Sequence, residues 1–285
     1  MLNNREWAIL IWTAVVLGWG LTHKDVRSSM LGVIRSFLHP KILIPFFAMF
    51  TYIWAEIWLG SRLALWHHGL AKDTVVWAIT SGVVMFFNYD DAAKKPKFFR
   101  RRLLKAFEIT VFIEVLTSLF VMNIFIEIAL QPIIVFLAVA SVMAGYNDDF
   151  LVLKKPANIM LAMFGLFAIL FSFTHLVTHW ATIDKGDLLR QFLLPVWLTI
   201  GELPFVYLLS LYANYELAFL RINWAEKNRR KSLSAKLALA MALNVQTYKI
   251  EKFTGGWPTQ LLEAKGFKAR RKVIKRYISE QKHIQ

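Results

Sequence analysis

Residues 157–183 read ANIMLAMFGLFAILFSFTHLVTHWATI, without a single Asp, Glu, Lys or Arg. A helix that is apolar on every side has no face to offer water, so such a stretch belongs in a large core or in a bilayer. The hydrocarbon core of a bilayer takes about 20 mostly apolar residues per helix, and this segment supplies them. Its neighbours repeat the pattern: stretches near residues 6–22, 42–61, 73–89, 104–125, 130–147, 157–180 and 191–214 approach or meet the same test. The first and third are short enough to be tilted or thinly inserted. Between the fourth and fifth, Asn123, Glu127, Gln131 and Pro132 form a polar break, which predicts a tight hairpin. The sequence thus predicts an all-α polytopic transmembrane bundle of about seven spans, or six if the first or third lies at the interface.

Composition points the same way. Of 285 residues, 57% are hydrophobic, 15% aromatic and only 19% charged, whereas soluble domains carry about 25% charge. Mean hydropathy is +0.46. With no cysteine in the chain, disulfide scaffolds, thiolate metal sites and thiol nucleophiles are excluded. The start, Met1 to Glu6, has no basic n-region, and Gly18 to Thr22 offers no cleavage site of small residues, so the first stretch reads as a retained span.

Charge gives direction. Residues 221–285 hold 16 of the 34 Lys and Arg but only 4 of the 19 Asp and Glu. This divides the chain into a transmembrane domain over 1–220 and a short basic helical tail over 221–285. With the N-terminus outside, inner loops carry 13 Lys and Arg against 5 in outer segments, before the tail is counted. Cytoplasmic loops are enriched in Lys and Arg, so the expected localisation is a plasma or inner membrane, multi-pass, with the N-terminus outside and the C-terminus in the cytoplasm. The implied partners are the lipid bilayer and, at the tail, a cytosolic protein or anionic lipid. Nucleic acid is disfavoured because no reading motif accompanies the charge. An oligomer is compatible with the sequence.

Two stretches outside the spans have helical apolar spacing. Met30 to Leu38 fits a helix along the inner interface. In the tail, Leu233 to Ile250 and Lys265 to Lys282 flank a turn at Thr254 to Pro258, which predicts a small helical hairpin on the membrane. An internal echo joins Asn88-Tyr89-Asp90-Asp91 followed by Lys94-Lys95-Pro96 to Asn147-Asp148-Asp149 followed by Lys154-Lys155-Pro156. It reads either as a duplicated two-helix unit or as two solvated loops, each with proline in the first turn of the next helix.

Three constellations could carry chemistry. Glu114 and Glu202 fall near the middle of the fourth and seventh spans, with no Lys or Arg at matching depth. An intramembrane carboxyl is costly and marks a functional site by default; Pro204, beside Glu202, predicts a kink or break there. The plainer reading is a protonated Glu bonding helices together. Glu56 and Glu108, nearer the ends of their spans, are weaker cases. His175 and His179 share one helix face near its outer end, and His67 and His68 follow the second span at the same side; imidazoles so placed suit zinc or copper, or sit at the interface without metal. The pairs Asp90–Asp91 and Asp148–Asp149 at cytoplasmic helix ends faintly match an Mg²⁺ site for a lipid diphosphate, although adjacent aspartates point to different faces. No pattern commits the chain to a cofactor.

These features point first to a transporter- or channel-like protein. A non-catalytic membrane scaffold or effector with a binding tail is the alternative, and a Mg²⁺-dependent lipid enzyme the third reading.

Overall fold

The computed structural model describes residues 3–91, 104, 121–145, 151–226 and 228–282. Among these, every regular element is helical: α1 (Asn4–Thr22), α2 (Lys24–Phe37), α3 (Pro40–Arg62), a 3₁₀ turn (His68–Leu70), α4 (Ala71–Trp77), a π-helical turn (Ala78–Gly82), α5 (Val83–Phe87), α6 (Ile124–Met143), α7 (Leu151–Thr178), α8 (Lys185–Ala225), α9 (Arg229–Leu243), α10 (Thr247–Glu251), α11 (Trp257–Glu263) and α12 (Phe267–Lys282).

Five helical segments among the described residues are long and apolar enough to cross a membrane, not seven. They are Pro40–Arg62, His68–Phe87, Ile124–Met143, Val152–Thr178 and Lys185–Ala225. The first expected span forms α1 but is not among them: it opens on Asn4, Arg5 and Glu6 and is interrupted by Gly18 and Gly20. Nearly all of the fourth, Glu114 included, lies outside the described residues.

Local chemistry sets the ends. Asn3 caps α1 reciprocally: its side chain accepts from Glu6 N–H at 2.8 Å, and Glu6 accepts from Asn3 N–H at 2.7 Å. Pro40 occupies the first turn of α3, where its missing N–H costs nothing. The polar break before the fifth span proves to be a helix start. Asn123 caps α6, and Glu127 and Pro132 lie inside it. Glu127 is buried and meets Arg5 at 3.4 Å; its carboxylate also accepts Met122 N–H at 3.2 Å. α2 forms over the stretch expected at the interface and buries no residue.

The contacts divide the chain into two compact units. One comprises Met1–Phe47, Ile57–Val76 and Ala106–Trp197; the other Ala48–Glu56, Trp77–Lys105 and Leu198–Gln285. In the first, α1 packs on α2 and α6, and α6 on α7. Lys72 reaches Glu6 at 3.3 Å, and a Cβ added at Gly60 would lie 2.9 Å from the Trp197 ring.

In the second unit the C-terminal residues form four helices around a core, not a two-helix hairpin. Leu239 and Leu243 of α9, Ile250 of α10, Phe253, Leu261 of α11 and Tyr277 of α12 are fully buried there. Ala218 and Ile222 of α8 complete the core, so it draws on residues from both sides of position 220. α9 runs back along α8. Ser232 Oγ donates to Asn223 Oδ1 at 2.7 Å, Tyr215 Oη to Asn244 O at 2.6 Å, and Tyr207 Oη to Val245 O.

α8 carries the site. Its 41 residues span about 62 Å at 1.5 Å per residue, twice a hydrocarbon core. It continues through Pro204, so the break expected there is absent. Proline does remove the N–H that would pair with Ile200 O, but the surrounding turns hold the helix. Leu198, Glu202, Val206, Ser210, Asn214, Ala218 and Ile222 are all buried, each four residues after the last.

Candidate functional site

The second unit brings together parts of three helical segments around two carboxyl groups. α3 contributes Tyr52 and Glu56, one turn apart and therefore on one face. The π-helical turn contributes Gly82, and Trp77 precedes it. α8 contributes Thr199, Gly201 and Glu202. Glycine is what lets the carboxyls approach the neighbouring backbone. A Cβ at Gly201 would lie 2.8 Å from Glu56 Cδ, inside contact distance, and one at Gly82 would lie 3.5 Å from both Glu202 oxygens.

Two hydrogen bonds frame the pair. Tyr52 Oη donates to Gly201 O at 3.0 Å, and Trp77 Nε1 donates to Thr199 Oγ1 at 3.2 Å. The first holds the α8 backbone next to Glu202, and the second holds the Thr199 side chain about one turn before it. The carboxyls themselves are unsatisfied: all four oxygens of Glu56 and Glu202 are shielded and have no hydrogen-bond partner among the described residues. Glu202 is fully buried. A buried polar atom without a partner costs about 1–3 kcal/mol, and more for charged groups. Four such oxygens in one place call for a proton or a cation.

The sequence reading finds Glu202 but ranks its neighbour low. Glu114, read as the companion of Glu202, lies outside the described residues, and Glu56 fills the place beside it. The signal was present: Glu56 is the only Asp or Glu between residues 42 and 61, with Tyr52 and Gly60 each four residues away on the same face. What linear position could not show is that α3 meets Gly201.

The histidines are held by their neighbours in sequence, except that His67 also reaches Asp187 of α8. His67 Nδ1 accepts Gly69 N–H at 3.1 Å, and its Nε2 meets Asp187 at 2.6 Å. His68 packs edge-on against Trp66. His175 and His179 stack at 5.2 Å, 6° from parallel, and His179 Nδ1 lies 3.0 Å from His175 O. Among the described residues no three His, Asp or Glu gather to hold a metal ion. Asp90 lies in the turn after α5 and Asp91 is helical, while Asp148 and Asp149 lie outside the described residues.

No protein-family model, curated protein or solved structure matches the chain.

Proposed function

We propose that the chain is a multi-pass membrane protein of transporter or channel type, in which Glu56 and Glu202 exchange protons or another small cation. The observation that carries this reading is the pair itself. Two shielded carboxyls without partners sit on helices apolar enough to cross a bilayer. Neighbouring carboxyls in a low dielectric take up a proton or bind a cation rather than both standing ionised and bare. Either state is one step of an exchange cycle. Pro204 leaves the Ile200 carbonyl, two residues before Glu202, without its helical donor, and π-helical turns recur at functional sites. Ser210 and Asn214 continue the buried polar line away from Glu202 along α8.

Loop charge supports the orientation in this reading: a plasma or inner membrane, with the N-terminus outside and the C-terminus in the cytoplasm.

The test is ion flux into vesicles reconstituted with purified protein, driven in turn by proton, sodium and potassium gradients. Glu56→Gln and Glu202→Gln keep shape and hydrogen bonding but remove the exchangeable charge. Each should reduce flux at least tenfold, about 1.4 kcal/mol of barrier, with yield and oligomeric profile unchanged. Full flux in both variants would reduce the pair to an interhelical bond. Activity lost only on disruption of α9–α12 would favour the scaffold reading.

A further inference from the structure

The C-terminal helices leave one apolar face uncovered. On α9, Ala235, Ala238, Leu239 and Leu243 enter the core. The opposite side shows Leu233, Leu237, Met241 and then Val245, which are 57%, 50%, 70% and 50% exposed. Four-residue spacing places Leu233, Leu237 and Met241 in one row, and Val245 follows just past the helix end at Leu243. A helix face turned to water normally carries charge. Between Leu233 and Gln246 the one charged residue is Lys236, and its ammonium lies over the Phe219 ring at 5.6 Å.

Direction makes this row more than a scattered set of apolar residues. α9 returns along α8 until Val245 O accepts from Tyr207 Oη. Tyr207 lies inside the apolar stretch 191–214, and α8 exposes Leu208 and Tyr212 beside it. The bare face of α9 is therefore continuous with the apolar band of a membrane-crossing helix. At its other end, about 20 Å back along the axis, Arg229, Arg230 and Lys231 are exposed. α12, packed on α9, exposes Lys268, Arg271, Lys272, Lys275 and Arg276. Apolar residues at one end and cations around the other match the profile of a leaflet, acyl chains beneath anionic headgroups.

We propose that the Leu237–Met241 face of α9, with Val245 just past its end, is a membrane-docking surface. The C-terminal half of α9 enters the acyl region of the leaflet through which α8 leaves the bilayer. The cations of the first turn of α9 and of α12 sit at the anionic headgroups. The buried turn of α9 thereby anchors the C-terminal helices beside α8, whatever the membrane domain transports.

The absence of cysteine makes the test direct. Met241→Cys, Val245→Cys and Arg230→Cys are made singly in the full chain, spin-labelled, and reconstituted in phosphatidylcholine vesicles with and without phosphatidylglycerol. Labels at 241 and 245 should collide severalfold more with oxygen, which partitions into acyl chains, than with a water-soluble nickel chelate. The label at 230 should show the reverse. Phosphatidylglycerol should deepen the label at 241, and salt should undo that shift. Nickel access at 241 and 245 equal to that at 230 would overturn the proposal. Protection from both quenchers would overturn it too, in favour of a second copy of the chain covering the face. Depth indifferent to phosphatidylglycerol would overturn the assignment to anionic lipid. Two labelled positions guard against one variant that fails to fold.

Discussion

At the scale of single residues, small side chains set the geometry around the carboxyls. Gly201→Ala places a methyl group 2.8 Å from Glu56 Cδ. Because Glu56 ends in a flexible side chain, it shifts rather than forcing the helices apart. The expected outcome is flux reduced by at least tenfold, about 1.4 kcal/mol, with thermal stability changed by less than about 1 kcal/mol. Flux in vesicles and melting in detergent check the two halves separately. Tyr277 offers a pH signature outside the spans. It is buried among Phe253 and Trp257, its hydroxyl donates to Lys249 O at 2.6 Å, and burial, then the Glu251 and Tyr248 charges, push its phenol above the ordinary value near 10. The unfolded chain therefore loses this proton first. The resulting stability is fully present below pH 10 and declines as pH rises toward the folded value. Proteolytic nicking of the C-terminal helices should accelerate above about pH 10. Tyr277→Phe should flatten that dependence and cost about 1 kcal/mol at neutral pH for the lost hydrogen bond.

At the scale of elements, the π-helical turn at Ala78–Gly82 decides which residues the third segment presents. Its extra residue offsets the α register between Trp77 and Gly82. Deleting Ile79, which is exposed, should restore an α-helix while keeping Trp77 and Gly82 close to their present register, because the wide turn spreads over five residues nearly the rotation that four α residues make. The Trp77–Thr199 hydrogen bond should survive, so the variant isolates the loosened backbone itself. Flux should fall while membrane insertion persists; unchanged flux would separate the turn from the transport path. The end of α9 holds a second backbone feature. Asn244 has φ 46° and ψ −116°, a region that glycine occupies without penalty. Asn244→Gly should raise the stability of the C-terminal helices by about 0.5–1 kcal/mol, and Asn244→Ala should lower it by about 1–3 kcal/mol. Resistance of this segment to protease is the readout.

At the scale of the molecule, ionic contacts within the first unit tie together elements far apart in sequence. Arg5 of α1 meets the buried Glu127 of α6, and Glu6 meets Lys72 of α4. Removing Arg5 leaves the Glu127 carboxylate buried without its cation. Breaking a buried pair costs about 3–5 kcal/mol, but Arg5 is 27% exposed and solvent screens part of that. Arg5→Ala should therefore lower stability in detergent by about 1–3 kcal/mol. Arg5→Ala combined with Glu127→Gln should recover part of the loss, because no bare charge remains. Thermal unfolding of the two variants against the parent makes the comparison.

Composition alone establishes an all-helical chain with long apolar segments, because runs such as residues 157–183 have no polar face to give to water. Helix ends were legible wherever a cap or proline writes them locally, as at Pro40. The polar residues from Asn123 to Pro132 were read as a break, yet only Asn123 is a boundary. Glu127 joins the helix because Arg5, distant in sequence, neutralises it. Basic charge after residue 221 suggested a surface hairpin. The burial of Leu239, Phe253 and Tyr277 against Ala218 made it a packed core instead, since packing depends on side chains that periodicity cannot pair. Glu202 was recognisable from its depth in an apolar run. Its partnership with Glu56 was not, because it depends on α3 crossing α8 at a glycine. Which residue faces Gly201 is fixed by the rotation and crossing of two helices, and only the tertiary structure decides that.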